Sequence, residues 1–85
     1  MKIELKDASH SPVYAQIRAQ LEEQIANKQV ATGEALPSPA ALSQKLSVDK
    51  GEIQRAYFEL ERLGVIKRQT SKDFLGKPKV TYIVA

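Results

Sequence analysis

Apolar residues recur every four positions at Val13, Ile17, Leu21 and Ile25, with Tyr14 and Ala15 beside them. Gln16, Arg18, Gln20, Glu22, Glu23 and Lys28 fall on the other side. This period fits the helical turn and predicts an amphipathic helix of about 15 residues, packed on one side only. Ser11-Pro12 supplies its start, with serine as N-cap and proline in the first helical position. The residues before it are too short a polar-apolar lead to assign.

Ala31-Thr32-Gly33 marks a turn, and Ser38-Pro39 repeats the opening logic of Ser11-Pro12, which makes Ser38 the N-cap of a second helix. Leu42 and Leu46 give that helix a buried edge. Ser47-Val48 forms the corner after it, where a left-handed residue is needed; serine there costs up to ~1 kcal/mol relative to glycine. Asp49 caps a third helix, and Glu52, three residues on, completes the pattern of a capping box. Ile53, Ala56, Tyr57, Leu60 and Leu63 form the buried stripe of this helix, which Gly64 ends. Phe58 lies opposite the stripe and is expected to be exposed, as a candidate contact with a partner or a second copy.

Val65-Ile66-Lys67-Arg68 begins an extended segment, and Lys79 to Val84 is rich enough in β-branched and aromatic residues to be its partner strand. The connection from Ser71 to Pro78 is polar, contains Gly76 and is longer than a tight hairpin requires. Within it, Phe74 and Leu75 are odd for a solvated tip. They are expected to fold back onto the hairpin; a wedge in a minor groove or a contact with a partner chain are the other readings. The order of elements predicts a mainly α fold with a small β hairpin, a winged helix-turn-helix. The helix-turn-helix falls at about 38–63 and the wing at about 65–84, within one domain over residues 1–85.

Charge sharpens this picture. The chain of 85 residues carries a formal +3, but residues 1–66 hold eight basic and nine acidic side chains, a net −1. Residues 67–85 hold Lys67, Arg68, Lys72, Lys77 and Lys79 against Asp73, a net +4. A positive field at the wing is the polarity of a nucleic-acid-facing element, although lysines on an edge hairpin also discourage aggregation. There is no cysteine and one histidine, His10, which is expected in a solvated loop. With no Gly-rich phosphate loop, no thiol nucleophile and no metal-ligand cluster, the sequence argues against an enzyme and implies no cofactor. No apolar run reaches the roughly 18 residues of a membrane span and the N-terminus is not a signal peptide, so a cytoplasmic protein is expected.

Several stretches resemble the GntR family of transcriptional regulators. Pro12-Val13-Tyr14-Ala15-Gln16-Ile17 with Leu21 and Ile25, then Gly33-Glu34-Ala35-Leu36-Pro37-Ser38, is similar to the family's opening. Arg55-Ala56-Tyr57-Phe58-Glu59-Leu60-Glu61-Arg62-Leu63-Gly64-Val65-Ile66 resembles its recognition helix and the start of its wing. Thr81-Tyr82 with Val84 resembles the wing's end. The resemblance implies sequence-specific binding to double-stranded operator DNA, as a repressor acting as a homodimer. The recognition helix would lie in the major groove and the wing in the adjacent minor groove. It also implies a separate effector domain, which is not expected within these 85 residues; the chain is then either an excised DNA-binding domain or a stand-alone winged helix. No membrane partner and no small-molecule site are expected.

The departures from the family pattern fall at its DNA-contacting positions. Pro39 and Ala40 stand where the pattern has glutamate and arginine. Asp49, Lys50, Gly51 and Glu52 replace serine, arginine, threonine and threonine, Gln54 stands at an arginine position, and Val80 replaces the wing's glycine. Two carboxylates at the tip, at ~7 Å from a phosphate, each oppose it by about 0.6–1.2 kcal/mol, an amount that Lys50 and Arg55 offset. The candidate DNA contacts are Ser38 and Lys45 on the second helix, Lys50, Gly51, Gln54 and Arg55 on the third, and Lys67, Arg68, Lys72, Lys77 and Lys79 on the wing. The acidic tip, the missing family arginines and an exposed Phe58 also motivate an alternative, a winged helix that has lost specific DNA binding and serves as a protein-interaction module.

Overall fold

A computed structural model describes residues 2–6 and 11–85; His10 lies outside them. Three helices, α1 (Val13–Ala26), α2 (Pro39–Leu46) and α3 (Lys50–Arg62), are followed by the antiparallel strands β1 (Ile66–Lys72) and β2 (Pro78–Val84). The expected stripes meet in one core. Ile17 and Leu21 of α1, Leu42 of α2, and Ile53, Ala56, Tyr57 and Leu60 of α3 are buried together, with Ile66 and Val84 of the hairpin and Val30 and Leu36 of the connection between α1 and α2. No helix of the described residues is long and apolar enough to cross a membrane.

The local signals that set α2 and the corner act as expected. Ser38 Oγ accepts the N–H of Ala41 at 3.1 Å with Pro39 in the first turn. Ser47 adopts φ 55°, ψ 43°, the left-handed conformation that lets α3 leave α2 at a sharp angle. The Ser43 hydroxyl donates to the Val48 carbonyl and closes the corner.

Three expectations need correction. α1 begins at Val13 with Pro12 at the N-cap, and neither serine nor proline caps it through a side chain. Leu63 is 59% exposed, because α3 ends at Arg62 and Gly64 (φ +76°) turns the chain into the wing before Leu63 can join the stripe. The hairpin is tighter than its polar connection suggests. Asp73 N–H donates to the Lys77 carbonyl at 2.9 Å, and the Asp73 carboxylate accepts from Leu75 and Lys77 N–H, each at 2.9 Å, so pairing runs out to Lys72↔Pro78.

A third strand-like segment also joins the sheet. Ala35 bridges to Ile83; Leu36 N–H donates to the Tyr82 carbonyl at 2.8 Å, Gly33 N–H to the Val84 carbonyl at 2.8 Å, and Val84 N–H to the Glu34 carbonyl at 3.0 Å. β2 is therefore flanked on both sides, and the wing is fastened to the α1–α2 connection as well as to α3.

The N-terminal lead also has a structure that its length concealed. Residues 2–6 run extended along α1, where Gln16, Gln20 and Gln24 form a ladder. Gln20 Oε1 accepts the Glu4 N–H at 2.8 Å while its Nε2 donates to the Glu4 carbonyl at 2.6 Å. Gln16 makes the same two bonds to Lys6, and Gln24 to Lys2. Four residues of helix rise about 6.0 Å and two residues of strand about 6.6 Å, so the two repeats stay in step over three rungs. The alternate residues Ile3 and Leu5 pack against the core.

Candidate nucleic-acid interface

α3 carries four carboxylates at or near its surface, and only one stays at the tip. Asp49 caps the helix, accepting the Gly51 N–H at 3.0 Å. Glu52 does not close a capping box on Asp49. Its Oε2 accepts the N–H of Tyr14 at 2.9 Å, the first-turn donor of α1 that Pro12 leaves without a side-chain partner. Glu59 pairs with Arg18 of α1 at 3.0 Å, and Arg18 also reaches Glu22 at 3.3 Å. Glu61 accepts from Arg68 of β1 at 2.7 Å. Three of the four acids are thus turned sideways, each fastening α3 to a neighbouring element.

The outward face of α3 is left to Lys50, Gly51, Gln54, Arg55, Phe58 and Arg62, all exposed. Arg55 is placed by a contact the sequence did not suggest: its guanidinium carbon lies 3.9 Å from the centroid of the Tyr14 ring, within cation–π range. Tyr14 therefore meets both Glu52 and Arg55, and joins the start of α1 to the first turns of α3. Arg62 lies over Phe58 at 6.0 Å. A Cβ added at Gly51 would meet only Asp49 Oδ1, at 3.6 Å. Nothing in the fold requires glycine there.

Below this face Tyr57 fixes the pitch of α3. Its hydroxyl donates to the Pro37 carbonyl at 2.8 Å and its ring meets Tyr82 edge-on at 5.0 Å. Burial, reinforced by Tyr82, pushes the phenol well above its ordinary range. One side chain thus links α3 to the segment before α2 and to the wing.

The other candidate residues fall into two groups. Ser38, with its hydroxyl engaged as a cap, and Lys45 in the last turn of α2 are exposed beside α3. On the wing, the register Ile66↔Val84 through Lys72↔Pro78, with alternation along each strand, puts Arg68 and Lys72 on the face that carries buried Ile66. Lys67 and Lys79 lie on the opposite face, and Lys77 is in the turn. Arg68 is held by Glu61, whereas Lys67, Lys72, Lys77 and Lys79 are exposed. Phe74 and Leu75 do not fold back on the hairpin. They project from the turn, 96% and 65% exposed, because the Asp73 hydrogen bonds use up the turn's inward-facing groups.

Among the described residues, no group of acidic, histidine or cysteine side chains gathers to hold a metal. The arrangement as a whole is an outward cationic helix face, preceded by a short helix and followed by a basic hairpin.

Residues 13–74 match the model of the bacterial regulatory proteins, gntR family. Over 59 residues the chain is 36% identical to YhcF of Bacillus subtilis, an uncharacterized HTH-type transcriptional regulator, covering 69% of this chain and 49% of that protein. It is 30% identical over 74 residues to MngR of Escherichia coli, the mannosyl-D-glycerate transport/metabolism system repressor, covering 86% of this chain and 31% of that protein. The chain thus spans about half the length of the first of these relatives and about a third of the second. Among solved structures, YtrA of Sulfolobus acidocaldarius, a GntR-family transcription factor, superposes with a TM-score of 0.76 at 32% identity, covering 98% of this chain and 77% of that one.

Proposed function

The chain belongs to the GntR family of bacterial regulatory proteins, with the winged helix-turn-helix fold of that family, and from that premise we propose that it binds operator DNA sequence-specifically, as a dimer, and represses transcription. The observation that carries this reading is the sideways placement of Glu52, Glu59 and Glu61. It leaves Lys50, Gln54 and Arg55 to meet the major groove at the helix N-terminus, where free N–H groups favour phosphate.

Arg55 and Gln54 are the base readers in this reading, by hydrogen bonds to guanine and adenine edges respectively. Lys50 and Lys45 bind phosphates beside them, with the Ser38 hydroxyl and the Gly51 backbone at the same surface. The wing lysines supply affinity that is largely independent of sequence. Repression follows from occupancy of the operator, as the name of the MngR relative suggests, and a cytoplasmic location follows with it. Of the features that motivated a protein-interaction module, the acidic tip is weakened because Glu52 turns to α1, and exposed Phe58 is what remains to it.

Selection of bound duplexes from a random library at low salt, followed by native mass measurement of the complex, tests the proposal. A palindromic motif carrying two chains is the expected result. Failure to enrich any motif sinks specific binding, and one chain per motif sinks the dimer.

A further inference from the structure

The turn of the wing holds the largest exposed apolar group of the described residues, and neither the core nor the reading above uses it. Phe74 is 96% exposed and Leu75 beside it 65% exposed. The turn that presents them is hydrogen-bonded throughout: the Asp73 carboxylate accepts from Leu75 and Lys77 N–H, Asp73 N–H donates to the Lys77 carbonyl, and Gly76 N–H donates to the Asp73 carbonyl at 2.9 Å. Gly76 takes φ +80°, which admits the reversal. Such a turn holds an apolar knob away from the protein, with Asp73 engaged inward and Lys72, Lys77 and Lys79 around its base.

An apolar knob ringed by cations is complementary to a surface with anionic walls and an apolar interior. A DNA groove meets that description once a base step opens: its walls are phosphates, its floor is base-pair edges, and the apolar faces lie behind them, within reach of a wedge. The hairpin's reach selects the groove. Seven paired residues at ~3.3 Å each make the hairpin about 20 Å long. Adjacent major and minor grooves are separated by about 17 Å, half the ~34 Å repeat. A hairpin of that length is long enough to span from a helix seated in the major groove to the neighbouring minor groove.

We propose that Phe74, backed by Leu75, wedges into a base step of that minor groove and partly unstacks it, bending the operator toward the major groove. The flanking lysines hold the phosphates on either side. Side chains of this kind kink DNA at steps that unstack cheaply, chiefly pyrimidine–purine steps. The wing thereby adds sequence preference outside the bases α3 can touch, by the cost of deforming them. This proposal rests on the DNA-binding reading above.

The test uses the best duplex recovered by library selection, labelled at its ends for energy transfer and carrying 2-aminopurine in place of single adenines across the flanks. Wild-type protein is expected to shorten the end-to-end distance and to raise 2-aminopurine fluorescence severalfold at one flanking step per half-site. Phe74→Ala should abolish both signals and weaken binding about ten-fold, while Phe74→Leu retains part of each. Because Phe74 touches nothing in the fold, the Ala variant should melt as the wild type does. If wild type binds this duplex without either signal, or Phe74→Ala binds it equally well, the wedge is wrong and the DNA-binding reading stands. If no duplex is selected, both fall. Phe74-dependent sedimentation with vesicles of phosphatidylserine and phosphatidylcholine, or Phe74-dependent self-association without DNA, combined with an unperturbed duplex, would assign the knob to a lipid surface or a second copy and overturn the proposal.

Discussion

The Glu52 carboxylate of α3 accepts the backbone N–H of Tyr14 at 2.9 Å, so one helix caps another 38 residues away in the chain. Pro12 gives α1 no side-chain cap of its own, and Glu52 supplies both the acceptor and a negative charge at the positive end of α1. Glu52→Ala is expected to lower stability by about 1–2 kcal/mol, and Glu52→Gln, which keeps an acceptor, by less than half of that. Urea unfolding of the two variants measures the difference. An alanine variant as stable as the wild type would show that the bond contributes nothing.

Arg55 and Lys72 are expected to fail in different ways. Removing the guanidinium that rests on Tyr14 should weaken binding to the selected operator by about 1–3 kcal/mol and relax base preference at one position of each half-site. Lys72→Ala should weaken all duplexes alike and reduce the slope of log K against log salt by about 0.9 per chain. Titrations of operator and scrambled duplexes at several salt concentrations separate the two outcomes; identical behaviour would contradict the division between reader and anchor.

Tyr57 gives the fold a limit at high pH. Its folded-state value lies above the ordinary 10.0, so the unfolded chain loses this proton first and binds fewer protons than the folded one. Stability is then full below about pH 10 and falls as pH rises above it. Tyr57→Phe should lose about 1 kcal/mol at neutral pH with the bond to the Pro37 carbonyl, and should then decline less steeply in alkali. Stability curves of both proteins from about pH 8 to pH 12 test the sign. Parallel slopes would exclude Tyr57 as the source.

The glutamine ladder makes the N-terminal strap part of the fold. Glu4→Pro keeps an extended backbone but removes the N–H that Gln20 accepts, and should cost about 1–2 kcal/mol. Glu4→Ala, which leaves the backbone bonds in place, should stay within about 0.5 kcal/mol of wild type. Equal stability of the two variants would mean that the strap contributes only through Ile3 and Leu5.

Ser47, at φ 55°, invites the opposite experiment. A left-handed non-glycine residue costs about 1–2 kcal/mol, against about 0.5–1 kcal/mol of extra chain entropy for glycine. Ser47→Gly should therefore stabilise by about 0.5–1 kcal/mol, and Ser47→Ala should not. A thermal melt that shows no gain for glycine would place the strain elsewhere.

What the sequence made legible was local. Ser38, Ser47 and Asp49 act within two or three residues of themselves, and the corner they build followed from residue type and spacing. Glu52 was misread because its three-residue offset from Asp49 satisfies a capping box equally well. Its real partner is brought near only when α1 packs on α3. Gln16, Gln20 and Gln24 read as an ordinary polar face, since nothing in a four-residue repeat says that a strand will lie against it. Phe74 was expected to fold back on grounds of hydrophobicity, and the Asp73 turn overrode that. The candidate interface was legible as a list of basic residues, but its electrostatics were not. They depend on which way each carboxylate turns, and Arg18, Arg68 and Tyr14 decide that from other elements.

The clip between the α1–α2 connection and β2 has a kinetic meaning. The bonds from Gly33, Glu34 and Leu36 to β2 close loops of about 50 residues, a cost of the same order as that of the α1–α3 contacts, which close loops of about 40. Once docked, the hairpin is bound on both edges of β2, and its inner amides can exchange with solvent only when the helical core opens with them. The wing is thus an inseparable element of the finished fold.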